Sequence, residues 1–99
     1  MATYIVRIVL HEATWDHYTD LHAAMAGWLS AQRVIMGDSG KWYDLPDGEY
    51  YIQSEEIPER LRDAVVEVAT RIKPDPMPSV IVTEANYIAW QLRPIGQDS

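Results

Sequence analysis

The stretch YIVRIVL, Tyr4 to Leu10, decides the fold. Alternation sends Tyr4, Val6, Ile8 and Leu10 to one face of a strand, and Ile5, Arg7 and Val9 to the other. Arg7 is its one charge. A run apolar on both faces reads as a central strand covered, at least partly, on each side. The rest of the chain must then supply neighbours for both edges and a layer for at least one face.

Downstream, Thr14 is a good helix N-cap, with Asp16 in the first turn where the helix dipole favours an anion. Trp15, Tyr18, Leu21, His22, Met25 and Leu29 follow at helical spacing, with Gly27 near the end. Arg33–Gly37 reads as a second strand and Asp38-Ser39-Gly40 as a tight turn. Pro58 suits the first turn of a second helix, where its missing N–H costs nothing. Ile57, Leu61, Ala64, Val65, Val68, Ala69 and Ile72 mark one continuous apolar stripe on that helix. Pro74, Pro76 and Pro78 end it. Val80–Glu84 is the last strand, followed by Asn86–Leu92 with Tyr87 and Trp90, and Gln97-Asp98-Ser99 is expected to fray.

Between the second strand and the second helix lies KWYDLPDGEYYI, Lys41 to Ile52, which holds four of the ten aromatic residues. Pro46-Asp47-Gly48 has ordinary turn chemistry, so the stretch is expected to form a hairpin. Trp42, Tyr43, Tyr50 and Tyr51 would pair across its strands or meet a partner subunit, since interfaces favour aromatics. The alternative is a platform on which bases stack. Such platforms sit among Lys and Arg, whereas the flanks here are Asp38, Asp44, Asp47, Glu49, Glu55 and Glu56.

The element order is β-α-β-(hairpin)-β-α-β. Two interleaved β-α-β units predict an α+β, ferredoxin-like βαββαβ fold with an extra hairpin extension. Both helices would cover one face of an antiparallel sheet. The chain is expected to be one domain over residues 1–99, with its core at about 3–92. The helices would cover the face of the first strand bearing Tyr4 and Ile8 or that bearing Ile5 and Val9. Apolar residues left on the opposite face point to a homodimer.

The 99 residues carry 15 acids against 8 Lys and Arg, a net charge of −7, and no cysteine. Disulfides, thiolate metal sites and a cysteine nucleophile are excluded. The bases are scattered, which disfavours a non-specific nucleic-acid binder, and the acidic excess suits solubility, a basic protein partner or imitation of nucleic-acid charge. No signal pattern or apolar run of membrane-spanning length occurs, so a soluble, cytoplasmic protein without a membrane partner is expected.

Chemistry is sparse. His11, His17 and His22 lie within twelve residues with Glu12, Asp16 and Asp20 among them. His17 and His22 are five apart, which puts them on different helix faces, and no metal site or cofactor is expected. His22 lies on or beside the apolar stripe and reads as a satisfied boundary histidine or as a general acid/base. The glycines are scattered, so no phosphate loop forms, and no serine sits in a nucleophile elbow.

Thr3-Tyr4-Ile5-Val6, Met25 late in the first helix, the strand ending in Gly37-Asp38, the extended run to Leu45 and Val80-Ile81-Val82-Thr83-Glu84 together resemble the GhoS family. These are small bacterial antitoxins of toxin–antitoxin systems. The resemblance implies a ferredoxin-like, commonly dimeric fold, shared with a CRISPR-associated nuclease family, and endoribonuclease activity on a toxin's messenger RNA. Under it, His22 would serve as acid/base and Arg33 as phosphate contact. The chain departs from the pattern where the related nucleases carry an acid near the end of the first strand. Val9 and Leu10 stand there, with Glu12 the nearest acid. Tyr18–His22 also lacks the basic residues of the antitoxin helix. Composition alone favours a non-catalytic interaction module or regulator, such as a phage or mobile-element inhibitor that binds a basic protein surface.

Overall fold

A computed structural model describes residues 1–95. The expected fraying of Gln97-Asp98-Ser99 lies outside the described residues. The elements are β1 (Ala2–Val9), α1 (Trp15–Leu29), β2 (Val34–Met36), β3 (Trp42–Asp44), β4 (Glu49–Ser54), α2 (Pro58–Ile72) and β5 (Ser79–Glu84). β1 is the middle strand of a three-stranded antiparallel sheet in the order β4-β1-β5, and β2 and β3 form a separate antiparallel pair. The fold is therefore α+β, as the alternation of patterns implies. No helix among the described residues is long and apolar enough to cross a membrane.

The two faces of β1 are treated differently. Tyr4, Val6, Ile8 and Leu10 are buried against Leu21 and Met25 of α1 and Leu61, Val65, Val68 and Ala69 of α2. Tyr50 and Ile52 of β4 share that core because they pair with Val6 and Tyr4. The α2 stripe is thus phased as its sequence implies, and Pro58 sits in the first turn. In α1 the cap residue is Thr14, whose N–H donates to His17 Nδ1 at 2.9 Å. Gly27 lies inside α1, and Ser30 closes the helix at φ 52°.

The stretch 41–52 is not the expected hairpin. β3 turns back through Asp38-Ser39-Gly40 and pairs with β2, in the register Val34↔Asp44 and Met36↔Trp42. β4 instead lies along β1, from Arg7↔Glu49 to Ala2↔Ser54. Pro46-Asp47-Gly48 is a corner between two pairings. The reason is the central run itself. Its open edge offers a full-length ladder and buries Tyr50 and Ile52, which a bond to the three-residue β3 could not do. Trp42 and Tyr43 therefore never oppose Tyr50 and Tyr51. A single bridge between Gln32 and Tyr51 links the start of the β2 segment to the outer edge of β4.

The second face of the sheet is partly covered by the chain itself. After β5 the backbone stays tied to β1, with the Ala85 N–H donating to the Thr3 carbonyl at 2.8 Å. The segment then crosses toward β3. Asp44 N–H donates to the Arg93 carbonyl, and Ile95 N–H to the Trp42 carbonyl, each at 3.0 Å. Trp90 packs edge-on against Tyr43, with ring centroids 6.0 Å apart. Ile88–Leu92 lie beside Ile5, Ile35, Leu45 and Pro46. This strap takes part of the apolar surface from which a dimer is expected, while Ile81 stays 64% exposed.

Candidate functional site

Where β1 ends, the chain builds a cleft of about 430 Å³ from three parts of the sequence. β1 contributes Arg7, Ile8 and Val9, α1 contributes Trp15, Tyr18 and His22, and Arg33, Asp47 and Gly48 close the rim. The helix supplies its three side chains because positions i, i+3 and i+7 share one face. Trp15 to His22 spans about 10.5 Å along the axis at the usual rise of ~1.5 Å per residue. Tyr18 is clamped: its Oη accepts from Leu10 N–H at 2.9 Å and donates to the Leu10 carbonyl at 3.2 Å. Trp15 is 83% exposed at the mouth.

Gly48 sets the floor of this corner. Its φ is +80°, its carbonyl accepts from Ile8 N–H at 2.8 Å, and a Cβ there would sit 2.7 Å from the Ile8 carbonyl oxygen. Only glycine accepts both the left-handed backbone and that approach. Asp47 is held beside β1 as a result, and Leu45 N–H, bonded to the Arg33 carbonyl at 2.9 Å, fixes Arg33 across from it.

His22 is half-buried, and its Nδ1 lies 2.6 Å from Tyr50 Oη. Burial lowers the His22 pKa below 6.5, the nearby Arg33 charge lowers it further, and Asp47 opposes them. His22 is therefore neutral at pH 7. Tyr50 is fully buried, which pushes its hydroxyl up to about 12 despite the opposing Arg33 charge. It keeps its proton. A neutral imidazole and a neutral phenol share one hydrogen bond, and either can donate. When Tyr50 donates, Nε2 carries the ring proton and can bond to an anion. When Nδ1 donates, Nε2 is a free base of suitable protonation state at neutral pH. Nε2 makes no hydrogen bond to another described residue.

The three histidines go to separate partners, so no cluster forms from them. His11 Nε2 meets Ser79 Oγ at 2.8 Å, His17 caps α1, and His22 meets Tyr50. Among the described residues no group of three or more His, Asp or Glu side chains could hold a metal ion.

His22 and Arg33, eleven positions apart, line the same cleft. The aromatic residues of the 41–52 stretch separate. Tyr50 is in the core, Tyr43 lies half-buried against Trp90, Tyr51 is half-buried opposite Ile5, and Trp42 is 42% exposed. Trp15, Tyr18, Arg7 and Asp47 were not singled out by sequence reasoning as site residues. The signals were present in the i, i+3, i+7 spacing of α1 and in the lone charge of an otherwise apolar strand. No family model matches the chain, and no curated protein matches it.

Proposed function

We propose that the chain is a ferredoxin-like regulatory protein of the antitoxin type that acts on single-stranded RNA at this cleft as an endoribonuclease. The observation that carries the reading is the convergence of His22 and Arg33, from separate elements, on one cleft with Arg7 and Asp47. The ferredoxin-like assignment is supported by β1 lying between β4 and β5, with the Gln32–Tyr51 bridge extending the order to β5-β1-β4-β2. That order is the one two interleaved β-α-β units produce.

The chemistry needs no metal. Nε2 of neutral His22 takes the proton of a ribose 2′-hydroxyl, and the oxygen attacks the adjacent phosphorus. The P–O5′ bond breaks, leaving a 2′,3′-cyclic phosphate, and the departing 5′-oxygen takes a proton from water. Arg33 holds the phosphate oxygens and offsets the charge that grows on them. Tyr50 orients the imidazole through Nδ1 and keeps it from turning. The chain's net charge of −7 sets this reaction against long-range repulsion, so the expected activity of the purified protein is slow.

A second reading has its own support. The same charge, with Trp15 at 83% and Trp28 at 64% exposure, fits a non-catalytic module that docks on a basic protein surface. The deciding experiment is incubation of labelled single-stranded RNA with wild type, His22→Ala and Arg33→Ala at low salt. Cleavage that both substitutions abolish, with circular dichroism unchanged, supports the enzyme. Absence of both cleavage and binding in the wild type leaves the interaction module.

A further inference from the structure

A second cleft, of about 470 Å³, adjoins the first. Arg33 and Asp47 line both, and the second adds Asp44 and, from the C-terminal strap, Gln91 and Arg93. The two clefts therefore meet at Arg33. Along the pair run Arg7, Arg33 and Arg93, three of the eight cationic residues of the chain. The two ion pairs among the described residues, Arg62–Asp63 and Arg71–Glu67, use cations of α2 instead. Against three arginines the two clefts carry two acids, Asp44 and Asp47, so their lining is cationic by one charge on a chain whose net charge is −7, with Glu49 opposite Arg7 in the β1–β4 ladder.

We infer that the two clefts form one track for an extended single-stranded RNA several nucleotides long, with Arg93 of the C-terminal strap as an outlying phosphate contact. The inference rests on the RNA reading above and adds the size of the ligand. A mononucleotide or a small anion would fill the His22 cleft alone and leave Arg93 without a role. An extended strand presents a phosphate to each arginine in turn, and its unpaired bases and 2′-hydroxyls offer donors to Asp44 and Asp47. Trp15 ends the track with an exposed ring on which a base can stack. A duplex cannot offer its bases this way.

The strap makes the arrangement possible because its backbone, not the Arg93 side chain, holds it in place. The Arg93 carbonyl accepts from Asp44 N–H at 3.0 Å, and the side chain is exposed. Truncating Arg93 should therefore leave the fold intact.

The test is binding of 3′-labelled oligouridylates of two, four and eight nucleotides to the full chain, by fluorescence anisotropy across a salt series. Affinity of the wild type should rise from the dimer to the octamer. Arg93→Ala should flatten that rise and reduce the magnitude of the slope of log K against log salt by about 0.7, the value of one phosphate contact on a single strand. Arg93→Lys should restore the slope. An Arg93→Ala protein with unchanged slope and length dependence, in a series where Arg33→Ala loses binding, would confine the ligand to the first cleft and overturn the track while leaving the RNA reading standing. A wild type that binds no oligomer at low salt overturns both, and a duplex bound as well as a single strand overturns the track alone.

Discussion

Replacing Gly48 by alanine should be among the most damaging single changes to the chain, and its cost can be worked from the corner it occupies. A non-glycine residue at φ +80° pays about 1–2 kcal/mol for the left-handed backbone. The added Cβ would also stand 2.7 Å from the Ile8 carbonyl oxygen, a backbone atom that cannot rotate away. Relief requires β1 and the turn to part, which stretches the Ile8 N–H to Gly48 carbonyl bond and forfeits roughly 0.5–1.5 kcal/mol. The sum is about 1.5–3.5 kcal/mol, a large share of the ~5–10 kcal/mol expected of so small a domain. At about 4–8 °C per kcal/mol for this size, the melting temperature should fall by on the order of 6–28 °C. Gly40→Ala is the internal control. Its φ is +84°, yet nothing lies within 4 Å of its Cβ, so it should pay the backbone strain alone. Urea denaturation of the two variants side by side reads the difference. If Gly48→Ala costs no more than Gly40→Ala, the close approach of β1 to the turn is not the feature that fixes this corner.

Four further outcomes are expected. Leu61, 3% exposed at the centre of the α2 stripe, should lose about 2–5 kcal/mol on truncation to alanine, measured by chemical denaturation. Gly27→Ala should instead stabilise by about 0.5–1 kcal/mol, because the position is helical and nothing lies within 4 Å of the added Cβ. In an NMR titration, His22 should titrate below 6.5, with Arg33→Ala raising its pKa and Asp47→Asn lowering it. Because the folded pKa is depressed, the unfolded chain binds a proton that the folded chain excludes. The stability His22 contributes is therefore whole above 6.5 and is lost as pH falls from there through the folded pKa, and His22→Asn should flatten that part of the stability–pH curve.

How much of this was legible in the sequence follows from which interactions are local. The α2 stripe and the helix-facing side of β1 could be read because periodicity alone orders them. The pairing of β4 could not, since a turn such as Pro46-Asp47-Gly48 serves a hairpin and a corner equally well. The choice between them was made by the open edge of β1, forty residues away in sequence. Tyr50 shows the consequence: it reads as a hairpin or interface aromatic, yet its register opposite Val6 buries it in the core and aims its hydroxyl at His22. The strap was harder still. Asn86–Leu92 has no strong period, and its place is set by Trp90 against Tyr43 and by backbone bonds to β3. Of the residues that line the candidate cleft, His22 was singled out by its place beside the α1 stripe and Arg33 through the family resemblance, while Arg7 and Asp47 needed the corner to bring them near.

For the single-stranded RNA proposed as ligand, the tension between an acidic chain and a polyanion resolves by distance. Screening has a length of about 8 Å at physiological ionic strength, so most of the fifteen acids act on a seated strand only weakly. Once a strand is seated, the charged groups lining the clefts decide, and those are three arginines against two aspartates. Repulsion then slows association, while contact chemistry sets how long the complex lasts. Added salt weakens both effects at once: it relieves the repulsion and also competes for the phosphates. The absolute salt slope of the wild type should therefore be shallower than a count of its arginine contacts implies. The change in slope between wild type and Arg93→Ala is the cleaner quantity, because the long-range field of the other charges is nearly common to both proteins.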